Sequence, residues 1–436
     1  MRLPSLPLRL AGVLLLAGCN TISDAGPSGP FTLSLPEAWP GSTVYVTSAD
    51  FRRNFTSATL RVDTFTIQLS KSALNDSTVS GTLPLSVSGA VTTEVTVDGV
   101  RIPTGLIHVA GFADVRTVPG SESAFWGEMY GWVRNGVASV IGGNDATIRL
   151  LDLEQGTASV LTQSSAPYDL YPGASPTFRP GVFLRLGSGN TIEEWDFNGA
   201  PQLELGEPSA DGSFSRVQTR FGPNVWMTGN DDRRWFLTRP GPNAPYVRSA
   251  EILGNFLGSS FSPRGDLVAI SGFRSSGASP VYTLPNATVA FNVPMTWVFF
   301  PTFSPDGNLL ATAGYGGSQA QARNRLMVQN ANSGAVRADS LLAGEILGIT
   351  MDPTRPRFYV AVRTATGQLE IEVYSTVTLQ PIARLPSPVV GVTVPSESEG
   401  VIIVTPLKGL YFYLPKFFGP DPALSRIWHF TLPTTE

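Results

Sequence analysis

Phe303-Ser304-Pro305-Asp306-Gly307, followed directly by Asn308-Leu309-Leu310-Ala311-Thr312-Ala313-Gly314, is the stretch whose reading decides the fold. It predicts the end of one strand, a tight reverse turn, and a second apolar strand that stops at glycine. Pro305 presets φ for the first central position of a type I turn, Asp306 suits the second, and Gly307 accepts the positive φ that follows. The turn has copies along the chain. Phe178-Arg179-Pro180-Gly181, Phe221-Gly222-Pro223-Asn224, Phe261-Ser262-Pro263-Arg264-Gly265, Met351-Asp352-Pro353-Thr354 and, more loosely, Val392 to Ser396 repeat it. One unit earlier, Asn135-Gly136 makes the same reversal without proline. The intervals are about 40–48 residues, the repeat length of a propeller blade.

A second marker keeps the same period. The strand after the turn ends at Gly142, Gly187, Gly229, Gly272 and Gly314 in five of the units. Each unit then offers two more strands, such as Arg325 to Gln329 and Ala335 to Ala338 around an Asn332-Ser333-Gly334 turn. Four strands per unit predict a β-propeller of blades stacked face to face. Second strands such as Leu267 to Ser271, Leu309 to Ala313 and Phe358 to Val362 are apolar on both faces, as strands without a solvent side must be. Counting turns predicts seven blades; six or eight stay open because the first and last blades share strands in many rings. Either Ala423 to Leu432 completes the last blade, or Leu106 to Val115 closes it.

Composition agrees with an all-β chain. Of 436 residues only 15% are charged, while Gly (44) and Pro (36) are abundant and hydrophobic residues make 42%, which excludes a largely disordered chain. A net charge of −4 gives no basic stripe for nucleic acid. Residues 31–104 differ from the repeats. Phe31 to Leu35, Thr43 to Thr47, Ala58 to Val62, Phe65 to Leu69, Gly81 to Val87 and Thr93 to Val97 alternate apolar with polar residues, which predicts a small β-sandwich ahead of a propeller at 105–436.

The N-terminus reads as an export signal. Arg2 and Arg9 flank the apolar run Leu10 to Ala17, which is too short to span a bilayer, and Leu16-Ala17-Gly18 precede the single cysteine, Cys19. Leu-Ala-Gly-Cys resembles the lipobox of bacterial lipoproteins. The resemblance implies a signal peptide at 1–18, cleavage after Gly18, acylation of Cys19 and a lipidated tether at 19–30 that holds the chain to the cell envelope by membrane lipid. Asn20 after the cysteine implies the outer membrane where the envelope has two membranes.

The Ser-Pro-Asp-Gly turn with its apolar strand resembles the WD-like repeats of bacterial periplasmic propellers of the Tol–Pal type, and Trp195-Asp196 reproduces the dipeptide behind the WD name. The match spans about residues 105–432 and departs from eukaryotic WD repeats in lacking their buried His. The segment Pro40 to Phe51 is similar to the opening of an IPT/TIG immunoglobulin-like domain, although Ser48-Ala49 replaces that family's usual Gly.

No catalytic constellation stands out, and no cofactor is expected. His108 and His429 are the only histidines, and no nucleotide-binding fingerprint leads from a strand into a helix. The expected interaction face is built from the loops between second and third strands, because binding residues gather on loops of a rigid scaffold. Its candidates are Asn190, Arg233, Arg234, Arg274, Gln319, Arg323 and Lys408. Asn144, Asp145, Asp231 and Asp232 are weak candidates for a shared cation such as Ca²⁺; the plainer reading is that Asn and Asp make hairpins there. The expected function is a membrane-anchored extracytoplasmic scaffold that binds an envelope protein or a small ligand. A propeller enzyme of lactonase, quinoprotein or glycan-hydrolase type and an outer-membrane assembly component are the rival readings.

Overall fold

A computed structural model describes residues 30–33, 37–73, 75–118, 130–134, 138–142, 147–153, 155–163, 170–171, 182–186, 192–196, 201–204, 216–221, 225–229, 233–238, 247–249, 251–253, 255–273, 277–315, 323–387, 393–396, 398, 400–405, 409–414 and 426–433. For several strands between 130 and 273 only the backbone is described. The described chain is nearly all β, its one helical segment being the 3₁₀ turn Ala49–Arg52. It divides into two compact units. The smaller holds 1–34, 45–81 and 93–105; the larger holds 35–44, 82–92 and 106–436.

Two sheets are built from the first 109 residues. One orders strands Thr32–Leu33, Thr43–Thr47, Thr78–Thr82 and Ser70–Lys71; the other orders Glu37–Ala38, Val100–Val109, Gly89–Val97, Ala58–Val62 and Phe65–Gln68. Within the smaller unit, alternation in Thr43–Thr47 and Ala58–Val62 turns Val46, Leu60 and Val62 inward. The strand expected at Gly81 to Val87 ends at Thr82. Leu83 still bonds Gly41 and Ser42 through its backbone, and Pro84, which has no N–H to give a ladder, comes next. Asp50-Phe51 of the IPT/TIG-like segment lies in the 3₁₀ turn, capped by the Ser48 hydroxyl, with Phe51 fully buried.

In the larger unit the strands follow one another as antiparallel sets of four at 130–163, 170–204, 216–248, 255–293, 297–341 and 345–386. Ile252–Leu253 adds a fifth strand to the third set, and the fourth and fifth sets join in one eight-stranded sheet through Gly272↔Val298 and Phe273↔Trp297. A further set is shared between distant parts of the chain: Val401–Thr405, Gly409–Leu414, Arg426–Thr431 and, at its outer edge, Gly111–Thr117. The two candidate closing segments therefore occupy one sheet together, as its third and fourth strands. Side chains between neighbouring sheets make the core. Leu267, Ala269, Leu310 and Met327 fill one gap, Ala311, Ala313, Ile346 and Val360 the next, and Ile371, Val373, Phe412 and Trp428 the one after. The shared sheet also packs its other face, through Ile403, Tyr411 and Ile427, against Leu151 and Leu153. This is a propeller-like stack in which inner strands are covered on both faces; Leu310 to Gly314 are all buried.

The repeated turns explain how each set begins. Gly307 N donates to Ser304 O at 2.8 Å, and Ser304 N to Leu309 O at 2.9 Å. The Ser304 hydroxyl donates to Asp306 Oδ1 and accepts from Leu309 N, while Asn308 N also donates to Asp306 Oδ1. Burial works to raise the Asp306 carboxyl, but these hydrogen bonds outweigh it and hold its pKa below the usual carboxylate value. Gly307 has φ +70° and Gly265, its counterpart one unit earlier, +77°. In the next copy Asp352 takes the serine's place, accepting from Thr354 N and Arg355 N through Oδ1.

Candidate functional site

Strand direction sorts the residues into two ends. Trp297 begins its strand, Phe299 faces Ala313, Gly314 faces Arg325, and Arg325 faces Leu341. Trp297, Tyr315, Arg323, Asn324 and the start of the next set, Glu345, therefore share one end. The Ser304–Asn308 turn sits at the other. In the 297–341 set the second strand ends and the third begins at that first end, as Gly314 paired with Arg325 shows.

An aromatic cluster occupies that end. The Trp297 and Phe299 rings stack with centroids 5.8 Å apart, and Tyr315 stands edge-on to both at 6.3 and 5.5 Å. Trp297, Phe300 and Tyr315 are half-buried, whereas Phe299 is buried. The ladder slips between Phe299 and Thr302, leaving Phe300 at φ 51°. A bulky residue in the left-handed region costs on the order of 1–3 kcal/mol and needs local support. Thr302 supplies it: its hydroxyl lies 3.0 Å from Phe300 O and 3.2 Å from Ile349 O of the following set.

Arg323 lies behind these rings. Its guanidinium sits over Phe299 at 5.0 Å and Phe300 at 5.5 Å. It donates to Glu345 Oε1 at 3.2 Å and to the carbonyl of Ser398. Both charged side chains are almost fully enclosed, at 4% and 6% exposure. One side chain thus ties together the 297–341 set, the 345–386 set and the segment leading to Val401. Chemically, the arrangement is a rigid, half-exposed aromatic surface on a fixed cationic support. Trp, Tyr and Arg in well-packed settings are the residues that most often dominate binding energy at protein interfaces.

This placement corrects the expectation for Arg323, which is 3% exposed and points inward rather than standing on an open face. A carboxylate, a carbonyl and two ring faces satisfy its charge better than a loop tip could. Arg233 and Arg234 are also corrected in position: they are the first residues of strand Arg233–Thr238, paired with Leu253 and Ile252, and not in a loop. The Arg363 to Gln368 connection is a tight turn held from outside, with Arg363 Nε donating to Val394 O and Val394 N to Gly367 O. Cys19, Asn144, Asp145, Asn190, Asp231, Asp232, Arg274, Gln319 and Lys408 lie outside the described residues. Among the described residues no group of three His, Cys, Asp or Glu side chains is placed to hold a metal ion, and no helix is long and apolar enough to cross a membrane. Sequence reading missed Trp297 and Phe300; the signal for them was the aromatic run Trp297-Val298-Phe299-Phe300.

No family model and no curated protein matches the chain. Among solved structures, a chain of a crystal structure of the mitotic checkpoint complex is similar to it, with a TM-score of 0.51, 11% identity, and coverage of 74% of this chain and 92% of that chain. At this identity the likeness establishes a propeller-like fold. The fold is widely shared, since 1208 solved chains match, so the site must carry any functional argument.

Proposed function

We propose that this chain is a lipid-anchored extracytoplasmic scaffold whose propeller-like unit binds an envelope protein through the end that carries Trp297, Phe300, Tyr315 and Arg323. In this reading residues 1–18 are a lipoprotein signal peptide, Cys19 carries the acyl chains, and 31–104 is an immunoglobulin-like, IPT/TIG-like module. The four-stranded sets of 111–431 are the seven blades of a closed ring with Tol–Pal-type repeats, the set shared by Gly111–Thr117 and Arg426–Thr431 being the closure. One observation carries the binding role. A half-exposed Trp–Phe–Tyr cluster is locked by a bulge and a buried Arg323–Glu345 pair, at the end of the strands opposite the structural turns. A rigid anchor loses little entropy on binding, and that raises the affinity such a surface can reach. That the solved neighbour is part of a protein complex supports a protein as the occupant.

Photo-cross-linking from position 315 in membranes, compared between the wild type and Trp297→Ala, tests the reading. A defined cross-linked partner that loses at least tenfold in yield with Trp297→Ala is expected. Equal yields in the two proteins would overturn it.

A further inference from the structure

Going beyond the binding role, we infer that residues 37–44 are a strap of the larger unit, with Trp39 as a wedge whose seating is coupled to the Asp352–Arg357–Tyr359 charge cluster. Backbone hydrogen bonds hold the strap at both ends. Glu37 and Ala38 pair in parallel with His108 and Val109, Ala110 N donates to Ala38 O, Gly41 N donates to Leu83 O, and Leu83 N donates to Ser42 O. The segment then turns, with the Ser42 hydroxyl and N–H both donating to Trp39 O. Against this short ladder, the side chain goes deep. Trp39 is 8% exposed and packs in the same core cluster as Leu347, Tyr359, Ala361 and Ile371.

The indole also covers a buried charge. The Arg357 guanidinium, 1% exposed, lies over the Trp39 ring at 4.8 Å and faces Asp352 Oδ2 from Nε at 3.5 Å. Asp352 Oδ2 in turn accepts from the Tyr359 hydroxyl at 2.8 Å and faces Arg355 at 3.6 Å. A guanidinium stacked on an aromatic face in a dry site draws on the ring's quadrupole, an attraction that strengthens with desolvation. Taking away the ring would open a cavity beside a buried charge cluster. Asp352 also caps the turn that starts strand Arg357–Arg363, so the strap bears on the joint between two inner strands. The device is a segment pinned at both ends by backbone hydrogen bonds, whose one large side chain completes the core and the electrostatics of a repeated turn.

A double-mutant cycle in the full-length chain tests the coupling, using Trp39→Ala, Arg357→Met and the pair together, read by urea midpoint and by amide hydrogen exchange. The expected result is strong non-additivity, with the pair losing much less than the sum of the two. Trp39→Ala should also speed exchange at least tenfold in peptides covering 345–361, with little change in those covering 297–314. If Trp39→Ala does not fold, Trp39→Phe takes its place in the same cycle. Additive losses, or unaltered exchange in 345–361, would overturn the inference.

Discussion

The Arg264 side chain lies across Gly307: a Cβ added to Gly307 would stand 2.9 Å from Arg264 Nε and 3.1 Å from Ser262 Oγ. Two copies of the repeated turn, one unit apart in sequence, are thus in direct contact. Gly307 serves that contact twice, by taking φ +70° and by leaving room for the neighbour's guanidinium. Arg264 itself reaches Asp266 of its own turn at 3.3 Å. The turns are joints within each set and also part of the seam between sets.

Gly307→Val should therefore destabilise the larger unit by about 1–2 kcal/mol from backbone strain alone, with displacement of Arg264 adding to it. A thermal melt of the full chain measures this. An unchanged melting temperature would mean that Gly307 is not held in the left-handed region.

Arg323→Met should cost about 3–5 kcal/mol, because it takes from the buried Glu345 carboxylate the guanidinium that faces it at 3.2 Å. Removing both charges, as Arg323→Met with Glu345→Leu, should restore much of that loss. Urea midpoints of the three proteins distinguish this from a simple packing defect, in which the double variant would be the worse.

Glu370 supplies a pH signature. Burial pushes its carboxyl above the ordinary value, Arg384 works against that, and Glu372, close by on the same strand face, adds to it. A folded pKa above the unfolded one means that this group's stability is fully present below the unfolded pKa and is lost as pH rises through the folded pKa. Glu370→Gln should accordingly match the wild type below about pH 4 and exceed it in stability at pH 7. Melting curves across that range check it; a variant less stable at pH 7 than at pH 4, relative to wild type, would contradict the sign.

On the proposed lipid anchor, Cys19→Ser should release the protein from membranes into the soluble extracytoplasmic fraction. Fractionation followed by immunoblotting reads the outcome. Retention of the variant in a carbonate-washed membrane pellet would rule out the lipid anchor.

What was legible in the sequence was what short-range physics controls. Ser304 to Gly307 make their turn with bonds spanning no more than five residues, so proline, aspartate and glycine at fixed offsets reveal it. The same holds for the apolar inner strands, which must be covered on both faces wherever they end up, and for alternation in Thr43–Thr47 and Ala58–Val62. The propeller-like architecture follows from the repetition of these local facts.

Tertiary structure alone decided the rest, because its partners are far apart in the chain. Arg323 reads as a loop cation until Glu345 and Ser398, 22 and 75 residues later, close around it. The Phe300 bulge depends on a hydroxyl bond to the next set, at Ile349 O. The sheet shared between distant parts of the chain joins Gly111 to Thr431, 320 residues on. Trp39 carries no local mark of its role, since its meaning comes from Arg357 and a core assembled from the other end of the chain. Turns and periodicity are set by torsional preference and burial within one repeat, whereas the enclosure of a charge or a ring depends on which surfaces folding brings together.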